Sequence, residues 1–154
     1  MSHTLLFQYC QKIVVFRDND SEVLLCKRKW EQDYDGIYSF IWGKMETTDE
    51  NIIEGIRREK NEEVGESVQL EILSDYHPVT FFRKKDGNSM ILPHYYAKYI
   101  GGEIMLNDEY SDYKRVKVHE LDAFEPKIHT IPEMVDKLLH LKHRLWETAI
   151  YIKI

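Results

Sequence analysis

The sequence predicts an α/β fold in which a mixed β-sheet is covered by helices on both faces. Three observations point there. The elements run in the order strands, one helix, several strands, then a second long helix,. The 154 residues suit one compact domain with a sizeable core,. No internal repeat, low-complexity segment or linker interrupts them, so residues 1–154 are expected to form a single domain,.

The β-type runs at residues 11–16 and 23–26 flank the turn Asp18-Asn19-Asp20-Ser21 and predict a hairpin,. Residues 38–41 form a short apolar strand that leads into a loop at Gly43. A helix follows, with Ile53, Ile56 and Val64 on one side at helical spacing, Glu59 and Glu62 away from it and Glu63 on the border,. Thr48 or Asp49 can cap its start, and Gly65 can end it. Strands are expected at 68–73, 79–82 and 90–99, the last two joined through the turn signal Lys84-Lys85-Asp86-Gly87-Asn88,. Gly101-Gly102 breaks the last of these, and 113–118 is a further strand. Pro132 opens a helix that runs to about Trp146. Residues 149–154 add a small terminal strand.

Composition narrows the function. A formal charge of −6, with no Lys/Arg stripe, argues against an extended nucleic-acid surface,. Cys10 and Cys26 are too few for a disulfide framework, lack metal-site spacing and read as buried thiols,. No signal-peptide core and no membrane-length apolar run are visible, so no membrane association and a cytoplasmic location are expected,.

The segment Arg58-Glu59-Lys60-Asn61-Glu62-Glu63-Val64-Gly65 carries the chemistry. Glu59, Glu62 and Glu63 stand at i, i+3 and i+4, so a helix crowds their carboxylates together. Crowded hard oxygens suit Mg²⁺ or Mn²⁺. Arg58, four residues before Glu62, can hold that carboxylate. Gly43 gives a tight turn in which backbone approaches a ligand, and Glu46 on the same loop can support the site from behind.

The full run resembles the signature of the Nudix hydrolases (MutT-like), Gly-x5-Glu-x7-Arg-Glu-(apolar)-x-Glu-Glu-x-Gly-(apolar). Arg58-Glu59-x-x-Glu62-Glu63-x-Gly65 matches in order and spacing, and seven residues separate Glu50 from Arg58. Gly43 to Glu50 is one residue longer than the pattern. Either the loop carries an insertion, or Asp49 replaces the glutamate; the insertion keeps the register from Glu50 to Gly65 and is preferred. Lys60 stands at an apolar position of the pattern, where its stem can lie on the core with the ammonium outward.

The resemblance implies a Nudix-type α/β/α sandwich and a Mg²⁺-dependent hydrolase of a nucleoside diphosphate linked to another moiety. It implies that Glu59, Glu62 and Glu63 bind the metal with the Trp42 carbonyl, Glu62 and Glu63 foremost, and that Glu50 orients Arg58 or the loop. It also implies that Lys27 and Arg28 face the phosphates, and that Glu109 stands where relatives place a further metal-binding or general-base glutamate. Trp30, Tyr34, Tyr76, Phe82, His94 and Tyr96 are candidates to stack on a base, although aromatics in short strands are more often core; His94 reads as a strand or surface histidine. The implied partners are a small nucleotide-type diphosphate and, at most, a second copy of the chain. The alternative is a Nudix-fold sensor that binds a nucleotide without turnover, a reading favoured by the altered loop and Lys60.

Overall fold

The computed structural model describes residues 6–145 and 147–154. Its strands are β1 (Phe7–Arg17), β2 (Glu22–Arg28), β3 (Tyr38–Ser39), β4 (Ile41–Lys44), β5 (Gln69–Leu73), β6 (Val79–Arg83), β7 (Ser89–Gly101), β8 (Tyr110–Lys117) and β9 (Tyr151–Lys153). Helix α1 (Ile52–Val64) lies between β4 and β5, and helix α2 (Ile131–Leu145) between β8 and β9.

The sheet is mixed. Its main order is β3-β2-β1-β7-β5-β9, with β4 added on β1, β6 on β7 and β8 on β2. Among the described strands, β1 and β7 are parallel to each other and the other pairs are antiparallel. Strand alternation sorts the core onto two faces. Ile13 and Val15 of β1 pack with Ile56 and Val64 of α1. Val14 and Phe16 point the other way and pack with Met134, Val135 and Leu138 of α2. A helix on each face of one sheet is the expected sandwich.

The turn of the first hairpin places Asp18, Asn19 and Asp20 at φ of 54°, 52° and 63°, a region that short Asx side chains tolerate best after glycine,. Ser21 Oγ closes it by donating to the Asp18 carbonyl at 2.7 Å. β1 is longer than the apolar run suggested, because residues before Gln11 pair with β4 and β7. β7 ends where Gly102 adopts φ 96°; a Cβ there would lie 1.9 Å from the Ser67 carbonyl oxygen,. Helix α2 begins one residue before Pro132, and the expected end at Trp146 falls outside the described residues. Both cysteines are free and buried. Among the described residues no helix is long and apolar enough to cross a membrane.

Two expectations for α1 need correction. Its cap is Asn51, whose side chain accepts from the Glu54 N–H, and not Thr48 or Asp49. Asp49 is engaged elsewhere, as described below. Lys60 does not send its ammonium to solvent: the residue is 2% exposed, and Nζ donates to the Val68 carbonyl at 2.7 Å. Lys60→Met is therefore expected to cost about 1 kcal/mol net, because the orphaned carbonyl outweighs the relieved ammonium desolvation. Thermal melts should register a loss of roughly 2–4 °C; an unchanged or raised Tm would mean that the lysine head contributes nothing.

Candidate active site

The site is built where β4 meets α1. Gly43 faces α1 so closely that a Cβ would lie 1.8 Å from Cδ of Glu59. Only glycine leaves room for that carboxylate, which is buried, with the residue 8% exposed. One turn on, Glu63 is 2% exposed, and its Oε2 accepts from the Trp42 N–H at 3.0 Å and from the Tyr110 hydroxyl at 2.9 Å. In an antiparallel pair a residue's N–H and C=O turn to the same side. With its N–H on Glu63, Trp42 therefore directs its carbonyl away from β1 as well.

Burial raises the pKa of Glu59 to about 7, opposed by Arg58,. It pushes Glu63 well above the usual carboxylate range too, opposed by Arg28 and the Tyr110 hydroxyl. Glu62 differs: its side chain is 54% exposed. The helix thus turns Glu59 and Glu63 inward and leaves Glu62 at the rim, a correction to the expectation that Glu59 lies off the packed side.

Arg58 organises the loop. Its Nε and Nη2 donate to the two oxygens of Asp49 at 2.8 and 2.9 Å, a bidentate pair,. Nη2 also reaches the Lys44 carbonyl at 3.0 Å, and Nη1 reaches Glu59 at 2.7 Å and Glu62 and Glu46 at 3.4 Å. Glu50, expected to orient Arg58, is exposed and has no ion pair among the described residues. Asp49 takes that role because the shorter side chain, one residue earlier, sits inside the turn closed by Asp49 N–H to the Glu46 carbonyl. The guanidinium holds the Asp49 carboxyl down at about 2.

Asp49→Asn is accordingly expected to loosen the loop and lower stability at neutral pH, while Glu50→Gln changes nothing. The sign follows from the depressed pKa: the contribution is present above pH ~4 and fades as pH falls toward 2. Comparing melts of both variants from pH 7 to 3 checks this, and a Glu50 variant as impaired as the Asp49 one would contradict it.

On the opposite face of the sheet, the Trp42 ring borders a cavity of about 240 Å³. Tyr34, Phe40, Phe82, Met90 and Leu92 give it an apolar wall, with Lys12, Arg28 and His94 among its polar groups. Arg28 links the two faces. Its guanidinium carbon lies 4.4 Å from the Trp42 ring centre and 5.2 Å from that of Tyr110, and it bonds Glu31, the Tyr110 hydroxyl and Glu109. Lys12 is buried against Trp42, and burial, reinforced by Arg28, lowers its pKa to about 7.

Of the expected site residues, Trp42, Gly43, Glu46, Arg58, Glu59, Glu62 and Glu63 come together, with Arg28 and Glu109 beside them. Lys27 does not join them; its ammonium sits 5.8 Å from the Tyr38 ring centre. Trp30 and Tyr76 are exposed, and Tyr96 is core, stacked on Phe16. His94 is a strand histidine on β7, as one of its two readings has it, and is buried, not on the surface. Lys12, Glu31 and Tyr110 join the site without belonging to the expected set. Lys12 had left a signal, since it lies in phase with buried Val14 and Phe16.

The donor set fits a divalent cation. Two buried carboxylates, each costly to ionise where it sits, lie beside the Trp42–Gly43 backbone, and carboxylate and carbonyl oxygens alike are hard ligands,. Among the described residues, however, no three acidic, histidine or cysteine side chains converge as a ready cage; Glu59 is drawn to Arg58 and Glu63 to Trp42 and Tyr110.

The sandwich and the glutamate helix facing Gly43, which lies within strand β4 and not in the tight turn expected there, define a class of acid-anhydride hydrolase. A family model described as NUDIX domain matches residues 11–138. Nucleoside triphosphatase NudI of Salmonella agona (strain SL483) is 35% identical over 125 residues, covering 73% of this chain and 84% of NudI. MutT protein from Methanosarcina mazei Go1 shares the fold with a TM-score of 0.73 at 19% identity, over 92% of this chain and 99% of that one. A C. elegans Ap4A hydrolase does so at 0.68 and 20%, over 91% and 98%. The chain belongs to the Nudix family and is a Nudix pyrophosphohydrolase, of the group that hydrolyses nucleoside diphosphates linked to another moiety.

Proposed function

We propose that this chain is a Mg²⁺- or Mn²⁺-dependent hydrolase of nucleoside triphosphates, acting as one domain over residues 1–154 on cytoplasmic nucleotides. The observation that carries the reading is the buried Glu59–Glu63 pair against Trp42 and Gly43, with an aromatic cavity sharing Trp42 and Arg28. The name of the NudI relative supports triphosphates as the first substrates to try.

Glu59, Glu63 and the Trp42 carbonyl would hold the metal from the inner side, and Glu62 from the rim. A bound divalent ion would supply charge neutralisation on the phosphoryl oxygens and help activate the attacking water. Arg58 keeps Glu59 and Glu62 in register while tied to Asp49. Arg28 presents its cationic edge between the cavity and the carboxylates, where a phosphate chain would run. Glu109, half-exposed and bonded to Arg28, is the candidate to take a proton at the rim. The aromatic walls exclude water from the base and hold it by stacking. Retention of the full carboxylate set favours turnover over a silent sensor.

The test is phosphate and pyrophosphate release from a nucleotide panel with Mg²⁺ or Mn²⁺, with products identified by mass. Hydrolysis abolished by chelation is expected; nucleotide binding without hydrolysis under either metal would leave the sensor reading.

A further inference from the structure

The cavity floor carries side chains that the proposed hydrolysis leaves unused. Lys12 of β1 is aligned with Trp42 of β4 on one side and with His94 of β7 on the other. The three therefore form a row across one face of the sheet. Lys12 is 8% exposed and reaches the cavity, with its Nζ 4.6 Å from the Trp42 ring centre. Among the described residues no carboxylate pairs with it. Buried charges are ordinarily paired, so Lys12 presents an N–H donor that awaits an oxygen.

His94 supplies the complementary role. Its Nδ1 lies 2.9 Å from the Leu92 carbonyl. A carbonyl can only accept, so Nδ1 carries the hydrogen. Burial, with Lys12 nearby, holds the ring's pKa down to about 3 and keeps it neutral,. Nε2 is then a bare acceptor, without a hydrogen-bond partner among the described residues.

We infer that this cavity selects oxo bases, taking a ring carbonyl on Lys12 Nζ and the neighbouring ring N–H on His94 Nε2, as guanine, uracil and thymine provide. In the same pose adenine and cytosine would turn an amino group to the lysine and a lone pair to Nε2. The lysine then loses its carbonyl acceptor and two lone pairs meet at Nε2, and a site built for one hydrogen-bond pattern disfavours its inverse. Tyr34 and Phe82, whose ring centres lie 5.4 Å apart on the wall, stack on any base and leave the choice to the floor,. This assignment rests on the proposed reading of the cavity as the place where the substrate's base is held.

Steady-state kinetics with GTP, UTP, ATP and CTP in Mg²⁺ test it. For the wild type, kcat/KM is expected to be at least about tenfold higher with GTP and UTP than with ATP and CTP. Lys12→Met and His94→Phe should each collapse that ratio toward one, chiefly through KM. Equal values across the four substrates, or a preference for ATP and CTP, overturn the inference and leave the hydrolase reading intact. If the wild type hydrolyses none, the hydrolase reading fails instead. Calorimetric binding of the same four nucleotides then decides: tighter GTP and UTP uphold the inference, and equal or no binding overturns it. Should a variant not fold, the wild-type ratio alone is decisive.

Discussion

Glu63→Gln is expected to cut turnover on the order of 10²–10³-fold at saturating metal, the equivalent of losing several kcal/mol of charge stabilisation. The protein should nevertheless stay folded. A glutamine oxygen can still accept from the Trp42 N–H and the Tyr110 hydroxyl, the two bonds that seat Glu63. Burial opposes the charged form of this side chain, so its neutral mimic is at least as stable in metal-free buffer,. Glu59 gives the same argument a pH axis. Its pKa is raised from 4.5 to about 7, which favours the protonated native state. Its contribution is complete below pH ~4.5 and declines as pH climbs through about 7. The metal-free protein should lose stability across that window, and Mg²⁺ should restore it by binding the native carboxylates. Melting curves at pH 5 and 8, with and without metal, read this directly. Near-normal rates for Glu63→Gln at saturating metal would remove the residue from the chemistry.

Gly43→Ala should inactivate almost as thoroughly, by a different route. The new methyl group would lie 1.8 Å from the Glu59 carboxyl carbon and 1.9 Å from Oε2, so the carboxylate must leave its niche. Arg58 would then lose its 2.7 Å bond to Glu59. A stability loss of about 1–3 kcal/mol is expected, as for other overpacked sites, with turnover falling as far as in a Glu59→Ala enzyme. Combining Gly43→Ala with Glu59→Ala removes the clash, so the double variant should regain most of the stability and none of the activity. If the single Gly43→Ala enzyme keeps both stability and rate, the close approach of strand and helix is not what holds Glu59.

The architecture was legible in the sequence because each element carried its own periodicity. Residues 11–16 alternate between two buried faces, and Ile56 and Val64 mark the packed side of α1. The acidic motif was legible too, since it lies within a single helix. The direction of its carboxylates was not. Helical spacing groups Glu59, Glu62 and Glu63, but only the position of Gly43 and Tyr110 decides that Glu59 and Glu63 are enclosed and Glu62 is not. The loop failed for a related reason. Register pointed to Glu50, whereas the turn through Glu46 brings the carboxylate of Asp49 onto Arg58. The fate of the Lys60 ammonium is not legible in sequence, because its acceptor, the Val68 carbonyl, is a backbone atom that no side-chain pattern announces. The cavity was the least legible part, as Lys12, Trp42 and His94 lie far apart in the chain and meet only through strand pairing.

Trp42 stands astride the sheet. Its amide is fastened to Glu63 on one side, and its indole forms a wall of the aromatic cavity on the other. On the proposed reading one residue would thus touch both ends of a nucleotide, and whatever tilts the indole would also tug the acid helix. Trimming the base from a substrate should consequently slow bond cleavage as well as weaken capture, because the remote contact and the reacting phosphates share a single lever.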